Sequence, residues 1–133
     1  MDFATDEWAR AFMACLNGNP NYAASAATWE GALVLEFKAG SERLHRDARL
    51  WLDLHHGKCR KARFLQPGEE EPHEFVISAH ETAWRGIVSG AMDPTRALMT
   101  GKFTFSGDIG KLMRYPRAAG YIIKYLKRLL ADW

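Results

Sequence analysis

The stretch Asp47-Ala48-Arg49-Leu50-Trp51-Leu52-Asp53-Leu54-His55-His56-Gly57-Lys58-Cys59-Arg60-Lys61-Ala62-Arg63-Phe64-Leu65 decides the fold. Over 47–55, Leu50, Leu52 and Leu54 alternate with Arg49, Trp51 and Asp53, the period of two that marks a strand with one buried face. Gly57-Lys58 reads as a tight turn, and 60–65 returns with Ala62 and Phe64 inward. Working outward, 29–38 alternates again, with Leu33, Leu35 and Phe37 on one face. Phe75, Ile77 and Ala79 give a fourth strand. Between them, 66–72 is rich in glutamate, proline and glycine and is expected to be an exposed, solvated loop.

Helical signals flank this block. Thr5 is placed to cap a helix carrying Trp8, Phe12, Cys15 and Leu16 on one face, and Asn17-Gly18 ends it. Asn19-Pro20 starts a short second helix with Tyr22, Ala23, Ala26 and Ala27 inward. After the fourth strand, Trp84, Ile87 and Val88 share a helical face within 81–89. Asp93-Pro94 opens another helix, which Gly101 ends. Phe103 and Phe105 mark a fifth strand. Asp108 caps a helix with Ile109, Leu112 and Met113, and Pro116 opens the last one, striped by Ala119, Ile122, Ile123, Leu126 and Leu130. Short connections between strands imply a mainly antiparallel sheet. The expectation is an α+β fold, a five-stranded sheet with helices on one face and an apolar space between.

Bulk properties fit one domain over 1–133, large enough for a core without metals or disulfides. Two distant cysteines form no disulfide framework and no CxxC pair, which points to a reduced, cytoplasmic setting. The first residues, Met1-Asp2-Phe3-Ala4-Thr5-Asp6-Glu7, carry no secretory signal pattern, and no apolar run suits a membrane span. The net charge of +2 is uneven. Residues 109–131 hold six basic side chains and no acid, leaving 12 basic against 16 acidic residues elsewhere, a balance of −4.

Chemistry-bearing motifs are sparse. Adjacent strand positions point to opposite faces, so His55 and His56 are not expected to share one metal ion. His80-Glu81 reads as an acid/base pair or simply as a helix entrance, and an enzyme would draw on Asp53, His55, His80 or Glu81. There is no glycine-rich phosphate loop, no GxSxG and no HExxH. No metal, cofactor or nucleic-acid partner is called for. In surplus are soft, apolar side chains late in the chain. Trp84, Ile87, Val88, Met92, Leu98, Met99, Phe103, Phe105, Ile109, Leu112, Met113 and Ile122 are expected to line one pocket for a lipid-like ligand. A second reading makes the same apolar helices a homodimer or partner interface.

Several stretches resemble a known family in the right order. They are Asn17…Tyr22…Ala26-Ala27-Thr28-Trp29-Glu30-Gly31, then Leu52-Asp53-Leu54-His55-His56-Gly57, then Trp84-Arg85-Gly86-Ile87-Val88-Ser89-Gly90-Ala91-Met92-Asp93-Pro94. The clearest is Ala97-Leu98-Met99-Thr100-Gly101-Lys102-Phe103-Thr104-Phe105-Ser106-Gly107-Asp108, followed by Leu112-Met113. The chain resembles the sterol-carrier-protein, or nonspecific lipid-transfer, family in its small stand-alone prokaryotic form. That resemblance implies an apolar tunnel for acyl chains or sterols, with the last helix helping to close it. Members with a peroxisomal ending differ here, where the chain ends Leu130-Ala131-Asp132-Trp133. From the residues themselves, Arg117, Lys124 and Arg128 share one side of the last helix. They are expected to meet an anionic membrane surface or a ligand's phosphates, at about 1 kcal/mol each.

Overall fold

The computed structural model describes residues 2–40, 42 and 44–131, apart from the side chains of Pro94, Thr95 and Leu98. In chain order the elements are α1 (Asp6–Asn17), α2 (Pro20–Ser25), β1 (Glu30–Lys38), β2 (Ala48–His55), β3 (Lys58–Phe64), β4 (Phe75–His80), α3 (Glu81–Ser89), α4 (Pro94–Met99), β5 (Phe103–Ser106), α5 (Ile109–Met113) and α6 (Pro116–Leu129). The helix starts follow capping chemistry. Thr5 Oγ1 accepts the Trp8 N–H, Asn19 Oδ1 accepts those of Asn21 and Tyr22, and Asp93 and Asp108 cap α4 and α5.

The five strands form one sheet in the order β3-β2-β1-β4-β5. Three of its pairings are antiparallel, but the central pair, β1 with β4, is parallel, so the sheet is mixed. Consecutive strands are not always neighbours here. Residues 65–74 leave β3 at one edge and cross β2 and β1 before β4 begins. This long link lets β4 run beside β1 in the same direction.

The crossing segment is an exposed loop, as its composition suggested, but it is anchored rather than free. It lies across the sheet's second face as a strap. Trp51 Nε1 donates to the Pro72 carbonyl at 3.0 Å, Arg49 donates to Glu70 at 2.8 Å, and Arg63 holds both Glu69 and Glu71. Beneath it Val34, Trp51 and Leu65 form a small second core. The arginines that alternation had turned away from the main core are what anchor the acidic run.

The first face carries the main core. Leu33, Leu35 and Phe37 of β1 meet Leu50, Leu52 and Leu54 of β2 and Phe75 of β4, all buried. Trp8, Phe12 and Leu16 of α1 are fully buried against this side, and Trp8 Nε1 reaches the Leu129 carbonyl at the end of α6. Phe37 and Trp84 stand 4.4 Å apart between ring centres, and Trp84 and Phe103 4.8 Å, so one aromatic column links β1, α3 and β5. Among the described residues, no helix is long and apolar enough to cross a membrane.

Candidate functional site

Between the first face of the sheet and α6 the core stops short of full packing. It leaves a cavity of about 150 Å³. Leu33, Leu35, Leu54, Ile77 and Phe103 form its floor. Tyr22, Ala26, Trp29, Trp84, Ile87, Ala97, Leu112 and Tyr115 form its sides. Ala118, Ala119, Ile122, Ile123 and Leu126 of α6 form its roof.

The sequence explains the void. Alanine stands at 26, 97, 118 and 119, where a close-packed core would want large side chains. The polar ends of three aromatic wall residues are engaged by hydrogen bonds. Trp29 Nε1 donates to the Gly31 carbonyl at 2.9 Å, and Trp84 Nε1 to that of Glu36 at 2.9 Å. The Tyr115 hydroxyl pairs with Thr28 at 2.9 Å. What remains facing inward is almost entirely carbon.

Five of the twelve expected pocket residues, Trp84, Ile87, Phe103, Leu112 and Ile122, stand on this wall. Val88, Met92 and Phe105 are half-buried against the core but off the wall. Met99, Ile109 and Met113 are 82%, 46% and 65% exposed, a departure from the pocket expected of them. Helices α4 and α5 run only six and five residues, so each turns a single narrow face inward. In α5 that face is Leu112. The side chain of Leu98 lies outside the described residues. The other wall residues include Tyr22, Ala26, Trp29, Leu33, Leu35, Leu54 and Ile77 from the first part of the chain. Most were legible as inward-facing positions, but nothing in their spacing separates cavity wall from solid core.

The rim is basic. Lys111 Nζ donates to the Glu30 carbonyl at 2.6 Å and meets Glu74 at 3.2 Å, above the rings of Trp29 and Phe75. Arg117, Lys124 and Arg128 project from the outer side of α6, and among the described residues none makes an ion pair with a carboxylate. Lys124 and Arg128 lie 5.8 and 5.3 Å from the Tyr125 ring centre.

The candidate acid/base residues do not converge. His55 pairs in register with Glu30 and His80 with Lys38, at opposite ends of β1, roughly 26 Å apart at strand spacing. Asp53 is held by Arg60 at 3.0 Å, His80 Nδ1 accepts the Thr82 N–H, and buried Glu81 is gripped by Arg85. Burial pushes the Cys59 thiol up to about 12, against a smaller opposing effect of a hydrogen bond with the Lys61 backbone, so it is no ready nucleophile. One expectation is reversed. His55 and His56 do not point to opposite faces; their rings stack, 3.9 Å apart and 13° from parallel. His56 has left strand geometry, with φ at +48° as the first residue of the turn, and this swings its ring back over His55.

The family model described as the SCP-2 sterol transfer family matches residues 7–119. A solution structure from Thermus thermophilus, a conserved hypothetical protein described as possibly a sterol carrier protein, is 34% identical, with a TM-score of 0.81 over 97% of this chain and 90% of that one. A crystal structure of sterol carrier protein 2 is also 34% identical, with a TM-score of 0.82 over 95% of this chain and 98% of that one. Sterol carrier protein 2 from Aedes aegypti, described in complex with palmitate, shares the fold at 16% identity, with a TM-score of 0.54 over 90% of this chain and 97% of that one. No curated protein sequence matches the chain.

Proposed function

Because the chain belongs to the SCP-2 sterol transfer family, we propose that it binds a fatty-acyl or similar apolar molecule without covalent chemistry and passes it to a membrane. The observation that supports this most is the carbon-walled cavity beneath α6. Each buried CH₂ contributes about 0.8 kcal/mol, so an acyl chain of about 16 carbons offers roughly 10 kcal/mol before association costs. The wall supplies no directed polar contact, which favours affinity over selectivity among lipids. The palmitate complex of the Aedes aegypti protein supports the reading at the level of a shared fold.

In this reading α6 is a movable cover. Its inner face roofs the cavity, while Arg117, Lys124 and Arg128 on the outer face meet anionic headgroups. Native mass spectrometry of the protein incubated with palmitate tests the binding step. One acyl chain per protein is the expected result. A lipid-free dimer under the same conditions would instead favour an interface role for the apolar helices.

A further inference from the structure

We propose that Glu30, His55 and His56 form a site for one divalent transition-metal ion, zinc or copper, at the end of the sheet beside the cavity. Their ligand atoms, one carboxylate oxygen and one nitrogen from each imidazole, all lie within 4.8 Å of one another. The arrangement is built by the backbone. Glu30 is the direct cross-strand partner of His55. His56 and Gly57 both take positive φ, +48° and +80°, the two-residue turn whose twist suits a hairpin. That turn stacks the second imidazole on the first and brings His56 Nε2 to 2.7 Å from Glu30 Oε1.

The turn is fixed from two sides. The His56 N–H donates to the Trp29 carbonyl at 2.8 Å. Gly57 lies so close to α2 that a Cβ there would collide with the Ala23 backbone. Two imidazoles and a carboxylate suit zinc or copper, and lack the oxygen-rich shell that calcium or magnesium requires. Glu30 and His56 are more than half exposed, so water completes the coordination. The bond between His56 and Glu30 opens, and each group turns its donor atom to the metal. Lys111, bonded to the Glu30 carbonyl, and Lys58, paired across from His55, are cations beside the site and limit its affinity. Trp29 and Leu54, the residues just before Glu30 and His55, line the cavity, so a bound ion pins that end wall.

The assignment does not depend on the lipid reading. Calorimetric titration of the untagged chain with zinc chloride tests it, with amide chemical shifts followed in parallel. Expected are one zinc per chain and shifts centred on Glu30, His55, His56 and Gly57. His55→Ala and His56→Ala should each weaken binding by about tenfold or more, while His73→Ala and His80→Ala leave it unchanged. Absence of one-to-one binding, binding that survives both His55→Ala and His56→Ala, or shifts centred on His73 or His80 would each overturn it.

Discussion

Asn19 Nδ2 donates to the Tyr125 hydroxyl at 2.8 Å, while Asn19 Oδ1 caps α2, so one side chain both starts that helix and holds α6 over the cavity. Removing the hydroxyl in Tyr125→Phe should cost about 1 kcal/mol, read from denaturant midpoints. Asn19→Ala removes cap and tether together and should cost about 2 kcal/mol. In both variants the α6 amides should exchange faster with solvent, Tyr125→Phe by about fivefold. Unchanged exchange in α6 would show that the bond does not restrain the cover.

The outer face of α6 predicts a charge-dependent transfer step. Replacing Arg117, Lys124 and Arg128 with Glu should remove the acceleration that anionic vesicles give to release of a labelled acyl chain. Affinity in solution should be nearly unchanged, because these side chains point away from the cavity. In the unaltered protein, added salt should slow transfer to anionic vesicles and leave neutral ones unaffected. Equal rates to both vesicle types would remove the membrane-contact role.

The strap should loosen in acid. The Arg49 hydrogen bond holds the Glu70 carboxyl below its ordinary value, and the Gln66 N–H, then Arg63, do the same for Glu69. Folded values below the ordinary 4.5 mean that their contribution is present above that pH and lost as pH falls through the depressed values. The Trp51 indole N–H, bonded to the Pro72 carbonyl, is the reporter. Its hydrogen exchange should quicken below that range, before the indole of Trp84 on the other face responds.

At the alkaline end Cys59 sets the sign. Its folded value near 12 lies above the ordinary 9.0, so folding favours the neutral thiol. That contribution is complete below pH 9.0 and lost as pH rises toward 12. Burial shifts the Tyr22 phenol in the same direction. Thiol reagents at mild pH should therefore label half-buried Cys15 and spare Cys59. Cys59→Ala should flatten the fall of stability with rising pH, measured by denaturation on either side of pH 9.0.

The strands and most helix starts could be read from the sequence because each rests on local chemistry. Alternation fixed the inward faces of β1 to β4, and Thr5, Asn19-Pro20, Asp93-Pro94 and Asp108 marked where helices begin. The parallel pairing of β1 with β4 depends on where the strap crosses, a long-range choice that Arg49, Arg63 and Trp51 help to fix and no short period encodes. The site was half legible for a similar reason. Trp84, Leu112 and Ile122 could be guessed as apolar late residues. The cavity itself comes from alanines at 26, 97, 118 and 119 meeting in space, and small residues far apart in sequence leave no pattern. Met99 and Met113 are soft and apolar yet stand in solvent, because in helices as short as α4 and α5 geometry decides exposure.

Titration of the protein with a fluorescent 16-carbon fatty acid, comparing Ala119→Phe with Met113→Glu, tests the central claim most directly. Ala119 roofs the cavity and a phenyl ring there fills it, whereas Met113 stands in solvent. The account predicts that Ala119→Phe, still folded by circular dichroism, binds at least about tenfold more weakly, a loss of about 1.4 kcal/mol, while Met113→Glu binds like the parent. A folded Ala119→Phe that binds with the parent's affinity would contradict the assignment of this cavity as the ligand site.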